Sequence, residues 1–206
     1  MTKRRDAPAT GRNREAILQA LTPALSAFNS GTVLEIASGT GQHCAFLGGA
    51  LPHLDWQPSD YEADNFASID EWTEDLANVR PAIQIDASLP PATWPLAKDD
   101  KAALCAIMAI NMIHISPWAA CTGLLAGAGE CLPRGGLLYL YGPYRKDGQH
   151  TAPSNVEFDK WLKNQNPEWG VRDMEAVVDL AGQNCLTLTE TIPMPANNFS
   201  LLFNKT

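Results

Sequence analysis

Residues 32–41 read Thr-Val-Leu-Glu-Ile-Ala-Ser-Gly-Thr-Gly. Thr32 to Ala37 is an apolar, β-branched run with the look of a buried strand, and it carries one acid, Glu35, near its end. A turn of small residues follows, and a helix then runs to about Ala50. A strand that enters a helix through so tight a turn is the opening unit of an open α/β sheet. In such sheets, ligands lie beyond the carboxyl ends of the strands. Gly39 and Gly41 let backbone approach a ligand that a Cβ would push away.

The rest of the chain repeats this alternation. An amphipathic helix is expected over 14–28, with Ile17, Leu18, Leu21, Leu25 and Phe28 on one face and Pro23 kinking or splitting it. Residues 1–13 look irregular. Strands are expected near 55–59, 82–85, 102–110 and 137–141, and helices over 64–76 and 117–132, the latter capped by Ser116. Residues 142–168 are polar and hold one short helix, for which Ser154 and Glu157 have capping-box spacing. A helix over 172–181 leads to an antiparallel pair, 185–192 and 199–203. The expected fold is α/β: a Rossmann-like, mostly parallel seven-stranded sheet with an antiparallel last strand and helices on both faces. With 206 residues the chain suits one domain, 1–206. Residues 1–28 are read as an N-terminal arm and helix, and 142–168 as an insertion covering the substrate.

Composition excludes several classes. A net charge of −8 disfavours general nucleic-acid binding. No apolar run approaches the roughly 18 residues of a membrane span, and the expected location is the cytoplasm. The five cysteines form no CxxC pair, so neither a disulfide framework nor a metal site is expected. Lys3, Arg4, Arg5, Arg12 and Arg14 crowd the start, as a solvated arm or as a grip on an anionic substrate.

The glycine turn is open to three ligand readings. A GxGxxG beginning at Gly39 would need glycine where Cys44 stands, and a P-loop would need a Gly-Lys-Ser/Thr that is absent. Glu35 gives a pyrophosphate nothing, whereas a ligand with a cationic amino group gains from it. S-adenosylmethionine has an ammonium and a sulfonium and no phosphate. Asp60, at the end of the second strand, can accept from both ribose hydroxyls. It also suits a turn, and its replacement is expected to spare the fold. Asp86, after the third strand, can accept from an adenine amino group, with Ala87 offering its backbone N–H. Ala37, Ser38, Tyr61, Asn111 and Met112 complete the candidate cofactor-binding set. Asn111 and His114 follow the strand beside the first one, where polar residues in an apolar run need a reason. His114 is open to a structural reading, a substrate contact or a general base.

Longer stretches carry a resemblance: Arg12–Glu15, Leu34–His43, Trp56–Asp60, Asn111–Trp118, Leu140–Tyr144, Asn166–Asp173 and Met194–Asn198. On these the chain resembles the class I methyltransferases, in particular the methyltransferase-like family catalogued as domain of unknown function 938. The resemblance implies use of S-adenosylmethionine. It places Glu35, Gly39 and Gly41 on the class I glycine motif, Asp60 on the ribose-binding acid and Asp86 on the adenine position. Ala37 departs from the class, many members of which have glycine there.

Methyl transfer from a sulfonium is an in-line displacement, so the protein's main task is alignment. Candidate catalytic residues are His114 and Asn111. Candidate substrate residues are Arg12, Asn13, Arg14, Tyr144, Asn155, Asn197 and Asn198, and the expected partner is a small molecule. A non-catalytic S-adenosylmethionine-binding subunit is the alternative, and a nucleotide-dependent oxidoreductase a third reading.

Overall fold

The computed structural model describes residues 2–206. The first strand, β1 (Thr32–Ile36), is buried at every position, as its unbroken apolar pattern requires. It lies between β2 (Asp55–Asp60) and β4 (Leu104–Ile110), both parallel to it. With β3 (Ile83–Gln84), β5 (Leu137–Gly142), β9 (Leu186–Met194) and β10 (Asn198–Lys205), these form a seven-stranded sheet of order β3-β2-β1-β4-β5-β10-β9. Only β10 runs against the others. The strand order reverses between β1 and β4, which opens a crevice at their carboxyl ends.

Helices cover both faces. On one side lie α1 (Pro8–Leu25) and α2 (Gln42–Ala50), packed with Val33, Tyr139 and Leu202. Ile17, Leu21 and Leu25 of α1 are at most 1% exposed, each worth about 1.5–3 kcal/mol of burial. On the other side α5 (Trp118–Cys131) and α7 (Met174–Gln183) pack with Leu34, Ile107, Leu138 and Leu140. α3 (Phe66–Thr73) follows a 3-10 turn over Ala63–Asn65 and lies beside α2.

Several boundaries differ from those expected. α1 begins at Pro8, within the stretch read as irregular, because a proline in the first turn gives up only an N–H that has no helical partner. Pro23 does not split the helix, since it falls in the last turn, and the helix ends at Leu25 rather than Phe28. Residues 102 and 103 close a short helix, α4 (Lys98–Ala103), and not the fourth strand. Ser116 does not cap α5: its Oγ donates back to the Met112 carbonyl at 2.8 Å, and Pro117 holds the cap position. The Ser154–Glu157 capping box does not form either. Ser154 lies inside α6 (Pro153–Gln165), and Glu157 pairs with Lys160. The insertion is more ordered than one short helix. β6 (Tyr144–Lys146), β7 (Gln149–His150) and β8 (Arg172–Asp173) form a second, small sheet beside α6. Arg172 and Asp173, read as helical, belong to it.

All five basic residues of the arm are exposed, and its first part is held in place by the neighbouring helices. Residues 2–7 lie along α3: Thr2 and the Lys3 N–H bond the Glu71 carboxylate at 2.6 Å, Arg4 pairs with Glu74 at 3.0 Å, and the Ala7 N–H donates to Gln42 Oε1 at 2.7 Å.

Candidate functional site

The turn between β1 and α2 stays close to the sheet because three residues take left-handed backbone: Ala37 (φ 61°), Gly39 (φ 59°) and Gly41 (φ 87°). At Gly41 a Cβ would stand 2.5 Å from the Ile69 Cα, so glycine is required there. Ala37 keeps the left-handed conformation despite its Cβ, at a cost of about 1 kcal/mol. Ser38 braces the turn. Its N–H donates to the Ser59 carbonyl at 2.8 Å, and its Oγ accepts the Ser59 N–H at 3.2 Å.

Glu35 is 2% exposed beneath this turn, and its Oε2 has no partner among the described residues. Burial pushes its carboxyl from 4.5 up to about 7; a hydrogen bond from Ser38 opposes the rise and the charge of Asp60 adds to it. A buried carboxylate lacking a partner is costly unless a cation or proton joins it.

Asp60 closes β2 and ties two loops together. Its Oδ2 accepts the Gly39 N–H at 2.8 Å, and its Oδ1 accepts the Glu62 N–H at 2.9 Å and Asn65 Nδ2 at 2.8 Å. A carboxylate offers about four lone-pair sites. One on Oδ2 remains, enough for one ribose hydroxyl where the sequence suggested two. Asp86 lies two residues beyond β3, its Oδ1 accepting the Ser88 N–H at 2.8 Å and Ser88 Oγ at 2.6 Å. That turn leaves Oδ2 unused. Ala87 is buried, and Tyr61 is 58% exposed beside Asp60.

The remaining candidates fall into three groups. Asn111 ends β4 with φ 60°, its N–H bound to the Tyr141 carbonyl at 2.8 Å, and Met112 is buried behind it. His114 is 0% exposed, with both ring nitrogens unpartnered. Burial, aided by the Arg172 charge, lowers its pKa to about 3, so the ring is neutral. It meets the Tyr144 ring edge-on at 5.1 Å, and Tyr144 is also 0% exposed. The space His114 fills exists because Gly142 has no side chain: a Cβ there would stand 2.3 Å from Nε2 and 3.3 Å from Asn111 Oδ1. Arg172, which sequence reasoning did not single out, staples this loop to the insertion. Its guanidinium donates to the carbonyls of Ile113 at 2.9 Å and Ser116 at 2.7 Å.

The second group joins Asn155 to Asn197. Asn155 is buried and donates to the Asn197 carbonyl at 3.0 Å, docking α6 on the β9–β10 turn. The third gathers Asn13, Arg14 and Asn198 around His43 and Tyr141, two residues the sequence reading passed over. The signal for them was faint: a histidine directly after the glycine turn, and a phenol ending an apolar strand. Arg12 is exposed and joins no ion pair among the described residues.

Two cavities lie elsewhere. One, of about 670 Å³, opens at the amino ends of the strands beside Gly31, Asp55 and Arg134. The other, of about 270 Å³, lies between α5 and the insertion beside Trp118, Arg145 and Arg172. Neither is lined by Glu35, Asp60, Asp86 or Asn111.

Residues 4–205 match the model of a family described as "Protein of unknown function (DUF938)", and the chain belongs to that family. The fold is that of Rossmann-like methyltransferase structures. A putative O-methyltransferase from Nostoc punctiforme PCC 73102 superimposes with a TM-score of 0.77 at 13% identity, over 96% of this chain and 58% of that one. An O-methyltransferase family 2 protein from Planctomyces limnophilus DSM 3776, in complex with apigenin, gives 0.69 at 18% identity, over 94% and 61%. CalO1, a methyltransferase in calicheamicin biosynthesis in its SAH-bound form, gives 0.67 at 14%, over 93% and 55%. The chain thus spans little more than half the length of these proteins, and at such identities the likeness is one of fold.

Proposed function

We propose that this protein is an S-adenosylmethionine-dependent methyltransferase acting on a small molecule. The observation that carries this reading is Glu35: a buried carboxylate with one oxygen unpartnered, under a glycine turn at the switch point of the sheet. An ammonium group supplies the missing partner, whereas a pyrophosphate would bring a second anion to it. The other groups fit the same ligand. Gly39 has nothing within 4 Å of where a Cβ would be, Asp60 retains one acceptor site for a ribose hydroxyl, and Asp86 retains Oδ2 for an adenine amino group. The SAH bound in CalO1 and the apigenin bound in the Planctomyces protein support a methyl donor and a small acceptor.

When bound, S-adenosylmethionine supplies a methyl group already activated on a sulfonium. The work left to the chain is alignment and exclusion of water. Glu35 and Asp86 fix the two ends of the donor and Asp60 its ribose, and Asn111, at the end of β4, borders the methyl position. Of the roles open to His114, burial favours orientation over proton removal, since a neutral ring of low pKa is a weak base. That same burial is what favours the alternative, a non-catalytic S-adenosylmethionine-binding subunit.

Turnover separates the two. Purified protein given methyl-labelled S-adenosylmethionine and a small-molecule extract should transfer label to a product and release S-adenosylhomocysteine. Donor binding with no transfer across such extracts would instead support the non-catalytic subunit.

A further inference from the structure

Residues 2–7 have no regular secondary structure and, Ala7 apart, are exposed, yet they reach the turns at the carboxyl ends of both β1 and β2. The Arg5 N–H donates to Ser68 Oγ at 2.9 Å. Ser68 is 1% exposed, and its hydroxyl donates in turn to the Thr40 carbonyl at 2.8 Å. A hydroxyl has one proton and two lone pairs, so Ser68 serves both partners at once. The Ala7 N–H donates to Gln42 Oε1 at 2.7 Å, and the same oxygen accepts Thr40 Oγ1 at 3.0 Å. Gln42 Nε2 completes this contact by donating to Asp6 Oδ1 at 2.8 Å. Thr40 is thereby held at its carbonyl and at its hydroxyl by two side chains that both bind the arm. After β2, Arg5 Nη2 donates to the Asp64 carbonyl, in the 3-10 turn that Asn65 ties to Asp60.

Thr40 stands between Gly39 and Gly41, two of the three left-handed residues of the glycine turn. The third, Ala37, holds that backbone against its own preference, so the turn depends on its fastenings. The arm's own hold is modest. Thr2, Lys3 and Arg4 donate to Glu71, Trp72 Nε1 donates to the Arg5 carbonyl at 2.9 Å, and Arg4 pairs with Glu74 at 3.0 Å and lies over the Trp72 ring at 5.1 Å. These contacts lie at the surface, where each contributes little, and ordering an irregular segment costs backbone entropy. Docked and undocked forms of the arm therefore lie close in free energy, and whatever fixes the turn shifts the balance between them.

We propose that residues 2–7 are a positioning element of the donor site: docked along α3, they hold the Gly39–Gly41 turn, through Ser68 and Gln42, in the form that receives S-adenosylmethionine. This rests on the methyltransferase reading and adds a regulation to it, since release of the arm lowers donor affinity. Coupling of this kind is reciprocal: the factor by which the docked arm tightens the donor is the factor by which the donor tightens the arm.

Tryptic cleavage after Lys3, Arg4 or Arg5, read by mass on the full chain, reports the undocked arm. Saturating S-adenosylhomocysteine should slow it about fivefold, the low end of couplings between sites. Arg4→Glu, which sets a like charge beside the exposed Glu74, should weaken S-adenosylhomocysteine by a similar factor in calorimetry. The double variant Arg4→Glu/Glu74→Arg remakes the ion pair and should return the affinity to within about twofold. All titrations are run where circular dichroism shows each variant folded, so that a change of global stability alone leaves the dissociation constant unmoved. Cleavage unaffected by bound S-adenosylhomocysteine, or Arg4→Glu binding it as tightly as the unmodified protein, overturns the proposal and leaves the arm a surface fastening of α3. If the unmodified protein never binds S-adenosylhomocysteine, the methyl-donor reading itself fails, and this proposal falls with it; its first titration separates that result from the others.

Discussion

Glu35 is a buried acid with one carboxylate oxygen unpartnered among the described residues. Its carboxyl titrates near 4.5 in an unfolded chain and at about 7 in the fold, chiefly through burial. Between those values the folded state holds a proton that the unfolded state has lost, so the ligand-free protein loses stability as pH rises through that window. The whole difference corresponds to about 3 kcal/mol. Glu35→Gln should therefore flatten the pH dependence of the melting temperature, melting higher than the unmodified protein at pH 8 and differing little at pH 4.5. It should also bind S-adenosylmethionine more weakly, having lost the anion that faces the ammonium. Melting curves of the two proteins across pH 4.5–8 check the first part. Parallel profiles would mean that Glu35 is not buried as a strained acid. The identity of this residue was legible in the sequence, as an acid inside a strand end. Its missing partner was not, because which oxygen lacks a donor depends on where Ser38 and Asp60 come to lie.

Between elements, Asp60 shows how a strand end is also a fastening. It holds the turn before α2 and the 3-10 turn before α3 through three donors. Read from the sequence it is a residue outside the core whose loss spares the fold. With those contacts known, Asp60→Ala should lower stability by about 1–3 kcal/mol as well as weaken S-adenosylhomocysteine binding by about 1.5–3 kcal/mol. Thermal melting and calorimetry on the one variant measure both, and an unchanged dissociation constant would make Asp60 a fastening only. Central strands were legible because unbroken apolar runs have few alternatives. Caps and short strands were not. Ser116 and Ser154 have capping chemistry, yet Ser116 bonds the Met112 carbonyl and Ser154 accepts from Asn197. β6, β7 and β8 are two or three residues each, too short to show a period.

At the scale of the whole molecule, the parallel run of strands follows from the alternation of strand and helix, and the crevice at the β1–β4 reversal follows from the strand order of the sheet. The sequence pointed to those strand ends as the ligand site, and the proposed donor is assigned to the same crevice. Contacts between distant segments were beyond it: the arm along α3, the Arg172 staple and the His43–Asn13–Tyr141 cluster each join residues tens of positions apart with no shared pattern. The central claim is the identity of the ligand in that crevice. Calorimetric titration of the purified protein with S-adenosylmethionine, S-adenosylhomocysteine, NAD and ATP tests it most directly. Binding of the first two and none of the last two is expected, because Glu35 seeks a cation and the turn has neither the third glycine nor the P-loop lysine. Tight binding of NAD with no response to either methionine derivative would contradict it.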